Sequence, residues 1–211
     1  MDNLQKALEK HFRFTGGHRR SDNLPFLATS EPRRAEGRKQ LALTMRDMGF
    51  GKGVEVGCRY GACAMIWREA MPSLDLTCVD PYETYHHVSQ ERQDLIYAGA
   101  QENAAKYGFK IIRARSLDVV DQFPDGSLDF VNIDGDHTFD AAVQDIIRWA
   151  HKVREGGLVL VHDYCTFEQS GVIKAVDAYT HCHNIDPWYV TRDMEPTAFW
   201  QRGSERAGWW K

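Results

Sequence analysis

Apolar residues recur along the chain with two periods, and the alternation between them lays out a fold. From Val54 a short buried strand runs into a glycine-bearing turn, an amphipathic helix follows, and a second strand ends at Asp80. Ser89 to Tyr107 has the pattern of a helix closed by Gly108, and Phe109 to Arg113 that of a third strand. Pro124-Asp125-Gly126-Ser127 is a turn by its own chemistry, and Leu128 to Ile133 is nearly continuous in apolar residues, as a central parallel strand is. His137 to Glu155 reads as the clearest helix. Phe139, Ala142, Val143, Ile146, Ile147, Ala150 and Val153 share one face, and Gly156-Gly157 stands at its end. Leu158 to Val161 is the next buried strand and Gly171 to Cys182 another helix; Trp188 to Thr191 and Ala198 to Arg202 make a terminal hairpin. Ahead of all this, residues 1–14 suggest a short helix, 15–32 a loop and 31–48 a helix leading into the first strand.

A chain of 211 residues suits one α/β domain. No apolar run approaches the ~20 residues that span a bilayer, and the polar N-terminus is unlike a secretion signal. The five cysteines are odd in number and most fall inside expected strands or helices, which predicts reduced thiols and a cytoplasmic protein. The net charge of −4 is uneven: residues 1–52 hold 11 Lys and Arg against 6 Asp and Glu, so the rest is strongly acidic. An acidic domain of this kind is not expected to bind nucleic acid. The basic excess, in His18-Arg19-Arg20 and in Arg33, Arg34, Arg38 and Lys39, reads first as a solvated face and second as a patch for an anion.

The first strand–turn–helix unit carries the sharpest chemistry. Gly57 and Gly61 bracket a turn where a missing Cβ lets a ligand lie close to the backbone. Asp80, at the next strand end, is placed to accept hydrogen bonds from ribose hydroxyls. A dinucleotide fold spaces its glycines G-x-G-x-x-G; here the middle glycine is missing and Glu55 would repel a pyrophosphate, which disfavours an NAD(P)-type oxidoreductase. Glu55 instead suits a ligand with an ammonium group, so a ribonucleoside with a cationic amino-acid tail fits best. Two further polar clusters, Asp134-Gly135-Asp136-His137 and His162-Asp163-Tyr164, follow buried strands and emerge at the same sheet edge. Asp136 also reads as an N-cap, and His137 as an imidazole kept neutral by the helix dipole.

Glu55-Val-Gly-Cys-Arg-Tyr-Gly61 resembles motif I of the class I methyltransferases, in the form found in catechol, macrolide and sugar O-methyltransferases. Ile133-Asp-Gly-Asp-His137 and the later Gly-Gly-Leu-Val-Leu-Val-His-Asp-Tyr run are similar to the same group. The resemblance implies a Rossmann-like three-layer sandwich with a seven-stranded, mostly parallel sheet and a reversed C-terminal β-hairpin. Residues 41–211 would form the methyltransferase domain and 1–40 an appendage in the position of a lid. It implies S-adenosyl-L-methionine as cofactor, held by Glu55, Gly57, Tyr60, Gly61, Asp80, Ser116, Leu117 and Asp134, with Ser116 at the adenine. His137, His162 and Asp163 would serve catalysis on a hydroxyl of a small molecule or sugar. In metal-dependent members the positions matching Asp134 and Asp163 bind magnesium. Here His162 stands where a second aspartate is common, so a weaker Mg site, a softer ion such as Mn or zinc, or no metal all stay open. A non-catalytic nucleoside-binding protein is the alternative of a different class, and a homo-oligomer is neither indicated nor excluded.

Overall fold

The computed structural model describes residues 3–16, 24–30, 36–85, 87–166 and 168–203. Helix α1 (Asn3–His11) leads into strands β1 (Phe12–Gly16) and β2 (Phe26–Ser30), and α2 (Gly37–Asp47) precedes β3 (Lys52–Val56). Then come α3 (Ala62–Ala70), β4 (Asp75–Val79), α4 (Gln90–Tyr107), β5 (Lys110–Ile112) and the single turn α5 (Ser116–Val119). Strand β6 (Leu128–Ile133), α6 (Phe139–Ala150), β7 (Val153–Val161), α7 (Gly171–Cys182), β8 (Trp188–Thr191) and β9 (Ala198–Gln201) complete the order.

The strands form one sheet in the order β1-β2-β8-β9-β7-β6-β3-β4-β5. Strands β7, β6, β3, β4 and β5 are parallel, β9 runs against β7 and β8, and β2 adds to β8 in parallel. Alternation along each strand divides the core. Leu76, Phe130, Leu158, Leu160 and Phe199 face α1 to α4, while Val54, Val56, Val131, Ile133, Val159, Val161 and Trp200 face α6 and α7. This is the α/β, Rossmann-like fold with its reversed C-terminal hairpin. Because every parallel strand ends at the same edge, the segments after β3, β4, β5, β6 and β7 gather there.

The caps of α4 follow the sequence: Ser89 accepts from the Arg92 N–H, and Gly108 closes the helix with φ 77°. Three expectations are corrected. The sheet described has nine strands rather than seven, because residues 12–16 and 26–30 pair as an antiparallel hairpin instead of forming helix and loop. Helix α6 stops at Ala150, and Val153 already pairs with Leu128, so Gly156 and Gly157 lie inside β7. At Gly157 a Cβ would meet the Asp129 carbonyl oxygen at 2.4 Å, which explains the glycine by close strand approach. Thr138, not Asp136, is the N-cap of α6; Asp136 accepts from the Thr138 N–H in the turn before it. The expected helix start at 31–35 and the basic cluster at 18–20 lie outside the described residues. Among those described, no helix is long and apolar enough to cross a membrane.

Candidate active site

The turn after β3 is built on two glycines with positive φ, 84° at Gly57 and 81° at Gly61. Gly57 lies against the β6 loop so closely that a Cβ would stand 2.0 Å from the Asp134 carbonyl oxygen. Gly61 opens α3 beneath the ring of Phe109. Asp80 organises the turn from the neighbouring strand end. Its Oδ2 accepts from the N–H groups of Cys58 and Arg59, both at 2.9 Å, and its Oδ1 from Tyr82 N–H at 2.9 Å. A carboxylate has about four lone-pair sites, so Asp80 keeps one for a ligand in this arrangement. Tyr82, buried and itself at φ 49°, donates from its hydroxyl to the Arg59 carbonyl and fixes the other side of the turn.

Glu55 is not at the mouth of this turn. It points between β3 and α3, 1% exposed, in a row across the sheet with Cys78 and Asn132. Asn132 Nδ2 donates to Glu55 Oε1 at 3.3 Å and Cys78 Sγ to Oε2 at 3.6 Å. Burial, with the nearby Asp134 charge, pushes the carboxyl up to about 8. The folded chain therefore keeps a proton that the unfolded chain, with an ordinary carboxyl near ~4.3, gives up. The stability this adds is complete below that ordinary value and lost as pH rises to about 8. We expect Glu55→Gln to be more stable than the parent at pH 8.5, with the advantage shrinking toward pH 5 by up to about 1.4 kcal/mol per pH unit. Thermal unfolding at the two pH values checks this, and parallel pH profiles for parent and variant would contradict it.

The second constellation joins the ends of β6 and β7. His162 Nδ1 stands 3.2 Å from Asp134 Oδ1 and 3.4 Å from Asp163 Oδ2, and His137 Nε2 stands 3.1 Å from the same Asp163 oxygen. His137 Nε2 is 3.9 Å from Asp134 Oδ1. Asp163 holds this position with φ 55°, a backbone state uncommon for a side-chain-bearing residue. The Asp134 and Asp163 carboxylates raise His137 to about 9. Burial opposes the charge on His162, but the same two carboxylates outweigh it and hold the group at about 10. His137 and His162 in turn hold Asp163 far below the usual carboxylate range; burial opposes the same effect at Asp134 without cancelling it. The expectation of a neutral His137 is thus reversed, since two carboxylates in contact exceed the field of a helix end.

The other expected residues divide. Ser116 opens α5 and donates its hydroxyl to Asp145 Oδ1, while Leu117 beside it is exposed. Tyr60 turns its ring toward α4, where a Cβ on Gly99 would meet it at 3.2 Å, and its carbonyl accepts from Asn103 at 3.0 Å. Asp145, Asn132 and Arg38 were not singled out as site residues. Asp145 carried a signal, being an acid on the buried face of α6 beside Ala142, Ile146 and Trp149. Arg38, at the start of α2, pairs with Glu195 at 2.5 Å and Glu36 at 3.4 Å, and feels the charge of Asp134.

A parallel core sheet with the reversed strand β9 inserted beside β7, a glycine turn after β3 and an acid after β4 define a methyltransferase-type nucleoside fold. The chain belongs to the family described as methyltransferase domain, whose model matches residues 54–164. Its fold is similar to that of the O-methyltransferase TomG from Streptomyces achromogenes, solved in complex with SAM. That likeness has 16% identity and a TM-score of 0.58, over 96% of this chain and 91% of the other. An O-methyltransferase from Bacillus cereus, solved in complex with SAH, is similar at 12% identity and a TM-score of 0.59, over 95% and 91%. The uncharacterised protein y4gI of Sinorhizobium fredii is 24% identical over 115 residues, 52% of this chain. The match spans only 13% of that protein's length.

Proposed function

We propose that the chain transfers the methyl group of S-adenosyl-L-methionine to a hydroxyl of a small molecule or sugar. The observation that carries this reading is the convergence of two sites on one sheet edge. The Gly57 turn, braced by Asp80, abuts the backbone of Asp134, whose side chain belongs to the Asp134, His137, His162 and Asp163 cluster. In this reading Asp80 Oδ1 takes a ribose hydroxyl, Ser116 faces the purine and the turn backbone borders the methionine part. Glu55 acts from beneath, holding β3 to Asn132 and Cys78 rather than touching the ligand. The sulfonium then points at the cluster, where an acceptor hydroxyl attacks in line and loses its proton.

The donor set fits a divalent cation. Asp134, His162 and Asp163 each offer a ligand atom within 4.8 Å of the others. His162 Nδ1 lies within ion-pair range of both carboxylates yet makes an in-line hydrogen bond to neither. Once a cation displaces the proton that the two carboxylates hold on His162, two oxygens and one imidazole nitrogen suit manganese or a similar borderline ion better than magnesium. A cation bound there would lower the pKa of an acceptor hydroxyl. His137, more exposed than His162, would take the acceptor's proton once a cation on Asp134 and Asp163 offsets the carboxylate charge that otherwise holds it protonated. We expect calorimetry on chelator-treated protein to show tighter binding of Mn²⁺ than of Mg²⁺, and Asp163→Ala to remove it. Equal and weak binding of both ions in the parent would refute the metal assignment.

The experiment that tests the function is calorimetric titration with S-adenosylhomocysteine and, separately, NAD. Micromolar binding of the first with none of the second is expected. Binding of NAD alone would replace the reading with an oxidoreductase, and binding of neither would remove it.

A further inference from the structure

Asp145 is an acid in the wrong surroundings. It projects from the middle of α6, 6% exposed, among Ala142, Ile146 and Trp149. Burying a carboxylate costs free energy unless a partner answers it, and among the described residues the hydrogen-bond partner is one hydroxyl, that of Ser116 on the loop after β5. On its other side, Asp145 Oδ2 would stand 3.5 Å from a Cβ on Gly135, in the loop after β6. The carboxylate therefore lies between the loop after β6 and the loop that, on the reading above, faces the purine. Burial and the neighbouring Asp136 raise its pKa to about 6 against the opposing effect of Ser116, which leaves it ionised at pH 7.5.

The bond has a consequence beyond tying two loops. A serine hydroxyl has one hydrogen and two lone pairs, and an ionised carboxylate can only accept. With its hydrogen committed to Asp145, the half-buried Ser116 Oγ is left purely as an acceptor. Leu117, next along α5, has no polar side-chain atom with which to read a base edge. We infer that Asp145 is a positioning residue that fixes the polarity of Ser116, so that Ser116 Oγ accepts from the 6-amino group of adenine and repels a 6-oxo purine. The inference rests on the nucleoside reading above and adds to it the source of base selectivity.

The test is titration of the full chain with S-adenosylhomocysteine and with its deaminated analogue, S-inosylhomocysteine. In the parent the deaminated ligand is expected to bind about tenfold more weakly or worse. Asp145→Ala frees the hydroxyl to turn its hydrogen toward an oxo group, so the two affinities should converge to within about threefold. Ser116→Ala, which leaves α6 intact, should produce the same convergence and covers the case in which the Asp145 variant fails to fold. A merely structural Asp145 would weaken both ligands alike and preserve their ratio, which would overturn the inference. Equal binding of the two ligands by the parent would do so too. A parent that binds neither ligand is a different failure, that of the nucleoside site itself.

Discussion

Asp134→Ala should lower the rate of methyl transfer by about a thousandfold, the scale of losing a proton-transfer or metal-assisted contribution. Asp134 is the residue through which the two halves of the site communicate. Its backbone carbonyl forms the wall against which Gly57 packs, and its carboxylate lies 3.2 Å from His162 and 3.9 Å from His137. Truncation leaves the backbone wall in place but strips His162, 4% exposed, of one of its two anionic neighbours. Affinity for S-adenosylhomocysteine should therefore fall far less than turnover. Single-turnover transfer from methyl-labelled cofactor, with ligand affinity measured in parallel, separates the two. Equal losses in both would mean that Asp134 serves binding rather than the reaction.

Gly57→Ala should be the most damaging single methyl group that can be added to the turn. The new Cβ would meet the Asp134 carbonyl oxygen at 2.0 Å and its carbon at 2.5 Å, both backbone atoms of a sheet strand end, and the position has φ 84°. Neither partner can swing away as a side chain would. We expect a loss on the order of 4 kcal/mol, or about 10 °C in Tm for a chain of this size, together with loss of cofactor binding. Gly49 provides the control: it also has positive φ, 73°, but nothing lies within 4 Å of its Cβ position. Gly49→Ala should cost only about 1 kcal/mol from backbone strain. If thermal unfolding gives the two variants similar losses, close approach to β6 is not what fixes Gly57.

The parallel core was legible because its signals are local. Val54 to Val56 and Leu128 to Ile133 read as buried strands, Ser89 and Gly108 as the ends of α4, and Gly57 and Gly61 as a special turn, each from the residues themselves. Strands β1 and β2 were not, because the place of β2 in the sheet depends on β8, more than 150 residues away in the chain, and β1, which pairs with β2, ends in glycine. The end of α6 was misread because Val153 continues the helical spacing by chance. What stops the helix is the turn at 151–152 and the pairing of Val153 with Leu128. Glu55, Asp80 and the Asp134 to Asp163 cluster were singled out by residue type and position, and Glu55 proved to lie beneath the turn rather than at its mouth. Their electrostatics needed three dimensions: only the sheet register puts Glu55 beside Cys78 and Asn132, and only the convergence of β6 and β7 gives each histidine two carboxylates. Asp145 escaped notice because a helix face is read from its apolar members, whereas the informative residue was the acid among them.

The central claim is that one cofactor joins the Gly57 turn to the Asp134, His137, His162 and Asp163 cluster. It is tested most directly by a crystal structure of the chain with S-adenosylhomocysteine. A ribose hydroxyl on Asp80 Oδ1, the purine against Ser116, and the sulfur facing the cluster with room between for an acceptor oxygen are expected. A nucleoside bound elsewhere, or bound at Asp80 with its sulfur turned away from Asp134 and His162, would contradict it.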